Sequence, residues 1–408
     1  MVHDIPVNRV PCAAKRGVAS PIRTKMAGFD SPAVSRMNRR HLLQHLTALA
    51  GSATLPAWSQ AGRILLGQSA PMSGPASELG EQFREGAMLM FDQVNARGGI
   101  NGRRIELRTL DDGYEPERCA ANTKRLIAEG VTALFGYIGT PTSLAAVPLA
   151  AQAKVPFFAP FTGAEALRVP LQRNVFHVRA SYFDECDEIV KQIRAVGIKR
   201  VGVFHQRDSY GEAGLAGVVA ALKPHGLAPV SLGTVERNST DVAAATQSLL
   251  AGSPECIVQI STYTSCAAQI RAARAAGFHG VFYNLSFVGA QALAAELGKE
   301  ARGVVVSQVV PFPFSPTTPI AAEYGQRAKA ANRPLGYTAM EGFIAAKVLV
   351  EGLRRAGNDL GSDHVIQTLE SMRNIDVGGF FVDFSAQRHA GSKYVDMTML
   401  TEDGRVRH

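Results

Sequence analysis

The chain predicts an α/β protein of two doubly wound, Rossmann-like lobes, and three observations carry that prediction. Strand-length apolar runs alternate with helix-length amphipathic stretches from Arg63 almost to the C-terminus. That alternation calls for parallel strands joined by crossover helices. The runs are also too many for one sheet, since a single lobe would need about ten or more strands, beyond the usual size. Finally, many runs end in short turns rich in Ser, Thr, Gly, Pro or Tyr, and such strand ends are where open α/β sheets bind ligands.

The stretch Arg63–Gly113 shows the unit most clearly. Ile64–Leu66 is apolar and ends in a turn containing Ser73, Gly74 and Pro75. Phe83, Ala87, Met90, Phe91 and Val94 then recur at three- and four-residue spacing, so one helix face is apolar. Gly98, Gly99 and Gly102 stop the helix. A strand over Arg104–Leu110 leads into Asp111 and Asp112.

The same alternation continues. Helix is expected over Pro116–Glu129, strand over Val131–Phe135, helix over Leu144–Ala153 with a kink at Pro148, then strands over Val155–Ala159 and Val175–Val178. A second set of elements begins near Ser181. It comprises a helix over Asp184–Ala195, a strand over Arg200–His205, and a helix opened by Asp208-Ser209-Tyr210-Gly211. A strand near Pro229–Leu232 precedes a helix capped by Ser239 or Thr240. Strands at Cys256–Ile260, Val281–Asn284 and Gly303–Val310 alternate with helices at Cys266–Ala276 and Ala290–Leu297. Three helices are expected near 318–331, 335–356 and 362–372, then two strands near 379–384 and 394–400 forming a hairpin-like edge.

The SGP turn, the helix ending in NARGGINGR and the strand ending in DD, in that order, resemble the periplasmic solute-binding proteins of the branched-chain amino acid type that serve ABC importers. The resemblance runs from about Arg63 to the C-terminus. It implies a type I periplasmic binding fold in which a three-segment hinge joins the lobes, the chain crossing between them near Arg179–Ser181, Val309–Pro311 and Ser392–Tyr394. On that model residues 62–180 and 311–392 form one lobe, and residues 181–310 and 393–408 the other. Family members often bridge a cysteine near Cys119 to the loop after the third strand. Here that loop carries Gly139, so the bridge is not expected. With Cys12 among the first 61 residues set aside, Cys119, Cys186, Cys256 and Cys266 are read as buried thiols, although an even count in an exported protein leaves other pairings open.

Net charge of +8 raises a nucleic-acid reading. Its distribution removes it: residues 1–61 hold eight Lys/Arg against two acids, and the remainder is nearly balanced. Those first residues read as a leader. Asn38-Arg39-Arg40-His41-Leu42-Leu43 opens a positive patch, an apolar stretch runs to Leu55, and Ser59-Gln60-Ala61 offers small residues for cleavage after Ala61. The paired arginines resemble a twin-arginine signal, and an ordinary secretory signal fits equally. Either route exports the chain to the periplasm. Met37 is an alternative start to Met1. The mature chain is expected to be a monomer without a membrane span, and to partner a membrane permease.

Helices that begin directly after strands aim unpaired N–H groups at the space above the sheet, where a carboxylate is favoured. The candidate ligand contacts follow. Thr140 opens the third helix, and by resemblance it would hold a ligand carboxylate. Phe161, Thr162 and Gly163 follow the fourth strand, with Gly163 standing where relatives often carry Ser or Thr. Tyr210 and Tyr263 match cleft-facing tyrosines of the second lobe. Ser73 and Leu79 lie near the first turn, and Tyr337 near a late helix start. Ser286 marks the main departure, because amino-acid-binding members place there a glutamate that pairs with the ligand ammonium. Either an acid arrives from elsewhere, such as Asp184 or Glu341, or the ligand lacks an ammonium, the alternative the sequence favours. Phe161, Tyr210 and Tyr263 would suit an aromatic ring.

No strand is followed by GxGxxG, and neither a GxSxG elbow nor a Walker motif is present, which speaks against nicotinamide-dependent, hydrolase and nucleotide-using enzymes. Asp111 and Asp112 read as strand-end caps and not as a catalytic pair. No metal-ligand spacing occurs, and no cofactor is expected. The alternative to transport is a ligand sensor of the same fold feeding a regulator, which would need a separate partner.

Overall fold

The computed structural model describes residues 62–408. The export signal, Cys12 and the cleavage expected after Ala61 lie outside the described residues. The first sheet contains β1 (Ile64–Ala70), β2 (Ile105–Asp111), β3 (Ala133–Phe135), β4 (Phe157–Phe158) and β5 (Val175–Phe176). Its order is β2-β1-β3-β4-β5, and every pairing is parallel. Crossovers are made by α1 (Ser77–Ala96), α2 (Pro116–Ala128) and α3 (Thr140–Gln152). The register pairs Ile64 with Ile105 and Ala70 with Asp111, so the first turn and the acid pair leave the sheet at the same end, that of the strand C-termini.

The second sheet begins after α4 (Tyr182–Ala195). It takes in β6 (Val201–Gln206), α5 (Ser209–Leu222), β7 (Ser231–Val235), α6 (Ala243–Ala251), β8 (Cys256–Ile260), α7 (Tyr263–Ala275), β9 (Val281–Asn284), α8 (Ala290–Leu297) and β10 (Val305–Gln308). The chain then forms α9 (Pro319–Ala330), α10 (Tyr337–Ala356), α11 (Ser362–Glu370), β11 (Ile375–Asp376), β12 (Phe381–Val382), β13 (Asp396–Leu400) and β14 (Val406–Arg407). The order β14-β13-β10-β9-β8-β6-β7 is parallel from β10 to β7, with antiparallel β13 and β14 along one edge. These are two α/β lobes with mostly parallel sheets, as the alternation predicts.

The core follows the sequence pattern. Phe83, Ala87, Met90, Phe91 and Val94 of α1 are all buried. Phe83 and Phe91 sit 5.9 and 5.4 Å from Phe135, centroid to centroid. Although late in the chain, α10 returns to the first sheet and crosses α1. A Cβ on Gly86 would meet the Ala339 carbonyl oxygen at 1.7 Å, and one on Gly342 the Phe83 oxygen at 2.1 Å. The two helices therefore touch backbone to backbone, which only glycine permits there.

Two local expectations are corrected. The strands near 379–384 and 394–400 do not form a hairpin together: β12 pairs with β11, whereas β13 pairs with β10. Their alternating apolar residues cover two different surfaces, and alternation alone does not choose a partner. The helix expected to start at Ser239 or Thr240 begins at Ala243, with Val242 at its cap. The Ser239 hydroxyl instead accepts from the Asp241 N–H, forming a local turn that competes with helix initiation. Cys119, Cys186, Cys256 and Cys266 are buried free thiols.

Candidate functional site

The loops at the ends of the two sheets meet around a buried ionic cluster. Arg179 follows β5, just before the capping box in which Ser181 and Asp184 start α4. Its guanidinium is 1% exposed, 3.2 Å from Glu185 and 3.6 Å from Glu341. It also donates to the Ser286 hydroxyl and lies 4.8 Å from the centre of the Phe161 ring. Glu185 is spent on both sides of the cluster, because it accepts from the Ser286 N–H at 2.8 Å and from the Ser307 hydroxyl at 2.6 Å. Burial opposes the charge on Arg179, but Glu341 and Glu185 outweigh it and hold the group above its ordinary pKa. Glu341 moves the other way. Burial raises its carboxyl to about 7, with Arg179 pulling down and Glu185 pushing up. The Nε and Nη1 atoms of Arg179 are buried without a hydrogen-bond partner among the described residues, and orphaned donors of this kind are costly.

Beside this cluster lies a cavity of about 190 Å³, walled by Phe161, Ser286, Gln308, Tyr337, Thr338 and Glu341 together with the Val309–Val310 backbone region. It admits no water-sized sphere, so its walls are closed on one another in this conformation. Arg179 touches three of its wall residues.

The structure brings most of the sequence candidates together here. Thr140 and Thr162 are buried with their hydroxyls 2.6 Å apart, and the Tyr182 hydroxyl lies beside both. The Gly163 carbonyl accepts from the Tyr182 N–H at 2.8 Å. A Cβ there would meet Tyr182 Cδ1 and N at 2.6 Å, so the Tyr182 ring fills the space that a Ser or Thr side chain would need. Tyr210 is fully buried and packs 5.4 Å from Tyr182. Phe161, Ser286 and Tyr337 line the cavity directly.

Other candidates stand apart from the cluster. Ser73 is exposed, and its hydroxyl is spent on Asp111 at 2.7 Å. Leu79 is buried against Gly289, where the α1 turn meets the second lobe. Tyr263 approaches Ser77 and Glu78 at the start of α1, and so bridges the lobes away from the ionic cluster. Asp184 is consumed by its capping box with Ser181. Glu341 is the acid that reaches the cavity. Asp111 and Asp112 tie loops. Asp111 accepts from the Met72 and Gly113 N–H groups, from Ser73 and from Arg118; against the effect of burial, these bonds bring it down to about 2. Asp112 accepts from Ser69 and the Tyr114 N–H, while burial lifts it to about 6.

Sequence reasoning missed four residues. Arg179 was read only as a lobe crossing, yet an arginine six residues before a glutamate across a helix cap was a usable sign of a local pair. Glu185 and Tyr182 are hidden in a helix pattern that explains them without function. Phe287 follows Ser286 directly and supplies the ring expected from a ligand, with centroids 5.4 Å from Phe161, 4.5 Å from Tyr210 and 5.9 Å from Tyr114. Since Tyr114 and Phe161 come from the first lobe and Tyr210 and Phe287 from the second, this aromatic group joins the two. Polar contacts do the same at the rim: Arg237 and Asn238 donate to Glu115, each at 2.8 Å. Among the described residues no cluster of metal-ligating side chains occurs, and no helix is long and apolar enough to cross a membrane.

Two parallel-sheet lobes with a polar, ion-lined cavity between them define a small-molecule binding protein. The chain belongs to the periplasmic binding protein family, whose model matches residues 63–405. It is similar in structure to a possible leucine/isoleucine/valine-binding protein from Rhodopirellula baltica SH 1, at 35% identity and a TM-score of 0.82, over 85% of this chain and 96% of that one. A substrate-binding periplasmic protein from Ralstonia solanacearum is similar at 32% identity and a TM-score of 0.79, over 84% and 99%. In sequence, the Leu/Ile/Val-binding protein homolog 3 of Brucella melitensis biotype 1 is 22% identical over 366 residues, covering 89% of this chain and 98% of the relative.

Proposed function

We propose that this chain is the extracytoplasmic solute-binding component of an ABC importer. It captures a small carboxylate-bearing solute between its lobes by hinge closure and presents it to a membrane permease. The lobes are taken as residues 62–180 with 311–392 and residues 181–310 with 393–408. The chain is exported to the periplasm and works without catalysis.

The observation that carries this reading is Arg179, a buried cation with two donor atoms that make no hydrogen bond among the described residues, beside a small cavity that Glu341 lines. A ligand carboxylate would satisfy those donors, and charge-assisted bonds of this kind are stronger than neutral ones. Thr140 and Thr162 add hydroxyls without adding charge. Glu341 changes the weight between the two ligand classes left open by Ser286. An acid does arrive from elsewhere, so an ammonium has a partner and an α-amino acid becomes the first choice. The names of the relatives, which refer to leucine, isoleucine and valine, support the same class. Closure around the ligand excludes water and strengthens each of these bonds.

The test is a thermal-shift screen of the refolded chain against aliphatic amino acids and matched acids without the amine. A ligand at ~100 times its dissociation constant adds about 2.7 kcal/mol. Leucine or valine should raise the melting point, and Thr140→Ala should weaken the binding about tenfold or more. A shift confined to the amine-free acids would remove the amino-acid assignment. No shift with any small carboxylate would overturn the proposal.

A further inference from the structure

A second, larger cavity lies on the other side of the crossing segment at 179–181. It offers about 490 Å³, is open to solvent, and shares no wall residue with the cavity between the sheets. The crossing segment separates the two. The Arg179 side chain goes to Glu185, Glu341 and Ser286, whereas its carbonyl and that of Ala180 accept from Arg168, in the wall of the larger cavity, at 3.2 Å each.

The wall chemistry is specific. Arg168 spends Nη2 on backbone carbonyls, but its Nε is buried without a partner among the described residues. His177 is 1% exposed. Burial, and then the charge of Arg168, push it well below its ordinary pKa, so the ring is neutral. Its Nε2 lies 3.0 Å from the Leu167 carbonyl, a contact only a protonated nitrogen can make, which leaves Nδ1 as an acceptor. That Nδ1 is buried and has no donor among the described residues. Lys393 brings a further cation from the third crossing, exposed and without an ion-pair partner among the described residues. Leu171 and Phe183 supply apolar wall. Of the two acids present, Asp184 is engaged by Ser181, and Glu165 is a charge partner of Arg168.

We propose that this cavity is a second binding site, for a small hydroxy-carboxylate with an apolar body, and that its occupation favours the closed lobes. The carboxylate meets Arg168 and Lys393, the hydroxyl donates to His177 Nδ1, and the apolar body lies on Leu171 and Phe183. This rests on the hinged two-lobe reading above. The wall is made by the loop after β4 on the first lobe, by the start of α4 on the second, and by the third crossing. A rotation that opens the cleft must therefore alter this cavity. It has room for a small molecule in the conformation whose cleft admits no water-sized sphere. A ligand that fits here binds the closed state better, and differential binding of that kind couples the two sites.

Mandelate is the probe and phenylacetate, which lacks only the hydroxyl, its control. Calorimetric titration of the full chain should show mandelate binding at least tenfold tighter than phenylacetate. Lys393→Glu and Leu171→Asp should each weaken mandelate tenfold or more, while Ser286→Trp, which fills the cleft cavity, should leave it bound. With mandelate saturating, leucine affinity should rise about fivefold or more, and Lys393→Glu should remove that gain without altering leucine binding alone. No mandelate binding, binding lost in Ser286→Trp but kept in Lys393→Glu, or mandelate displaced by leucine would each overturn the proposal. If leucine fails to bind while the mandelate results hold, the cleft-ligand assignment falls and this site stands.

Discussion

The two sides of the crossing at Arg179–Ser181 handle charge in opposite ways. In the cleft, Arg179, Glu185 and Glu341 are almost wholly buried and pair with one another beside a small cavity. On the far side, Lys393 stands in solvent at the edge of a larger cavity, without an ion-pair partner among the described residues. The difference teaches what each side asks of its residues. Buried charges depend on their partners, because removing one leaves the others uncompensated in a low dielectric. Exposed charges contribute little to stability and remain free to meet a solute. The cleft side therefore couples ligand chemistry to folding and closure, and the far side can vary without disturbing the fold.

The largest expected effect breaks the cleft side alone. Arg179→Met leaves Glu185 and Glu341 buried without their cation, and stability should fall by about 3–5 kcal/mol in chemical denaturation. A loss below about 1 kcal/mol would show that the cluster is as tolerant as the exposed side, and the contrast would fail.

A smaller effect is expected from Gly163→Val. Its Cβ would strike Tyr182 at 2.6 Å, and overpacking of this kind costs about 1–3 kcal/mol. Because Tyr182 sits beside Thr140 and Thr162, ligand affinity should fall with stability. Unchanged affinity in a folded variant would separate Tyr182 from the site.

The mildest test uses pH. Glu341 holds its proton more tightly folded than unfolded, with burial lifting it from 4.5 to about 7. Its stabilising contribution is thus present below about 4.5 and is lost as pH rises through 7. The slope it adds cannot exceed one proton, about 1.4 kcal/mol per pH unit. Glu341→Gln should flatten the fall in stability over that window. Asp112, also raised, contributes equally to both proteins and cancels in the comparison. Parallel curves for the two proteins would place Glu341 in a far more polar setting than its burial indicates.

How much was legible depended on whether a signal was local. The elements of the first lobe were, because α1 carries its apolar face at regular spacing and the acid pair ends β2. Thr140, Phe161, Thr162, Tyr210 and Ser286 were also legible as residues at strand–helix junctions. Ser73 was not separable from them, since a helix-start serine that meets a ligand and one that binds Asp111 look alike in one dimension. Phe287 and Tyr182 were invisible for the opposite reason: each reads as ordinary core, and only the packing of the second lobe's elements puts both against Tyr210.

By itself, then, the sequence determined the alternation, the two-sheet architecture, the absence of nucleotide fingerprints and the junctions at which a solute could be held. Those properties rest on periodicity and turn chemistry, which act over a few residues. Tertiary structure alone decided that Glu341, 162 positions after Arg179 in the chain, is its counter-charge. It also decided that α10 returns to α1 and that β13 joins β10 and not β12. Those choices rest on which surfaces bury one another, and burial is a property of the assembled chain.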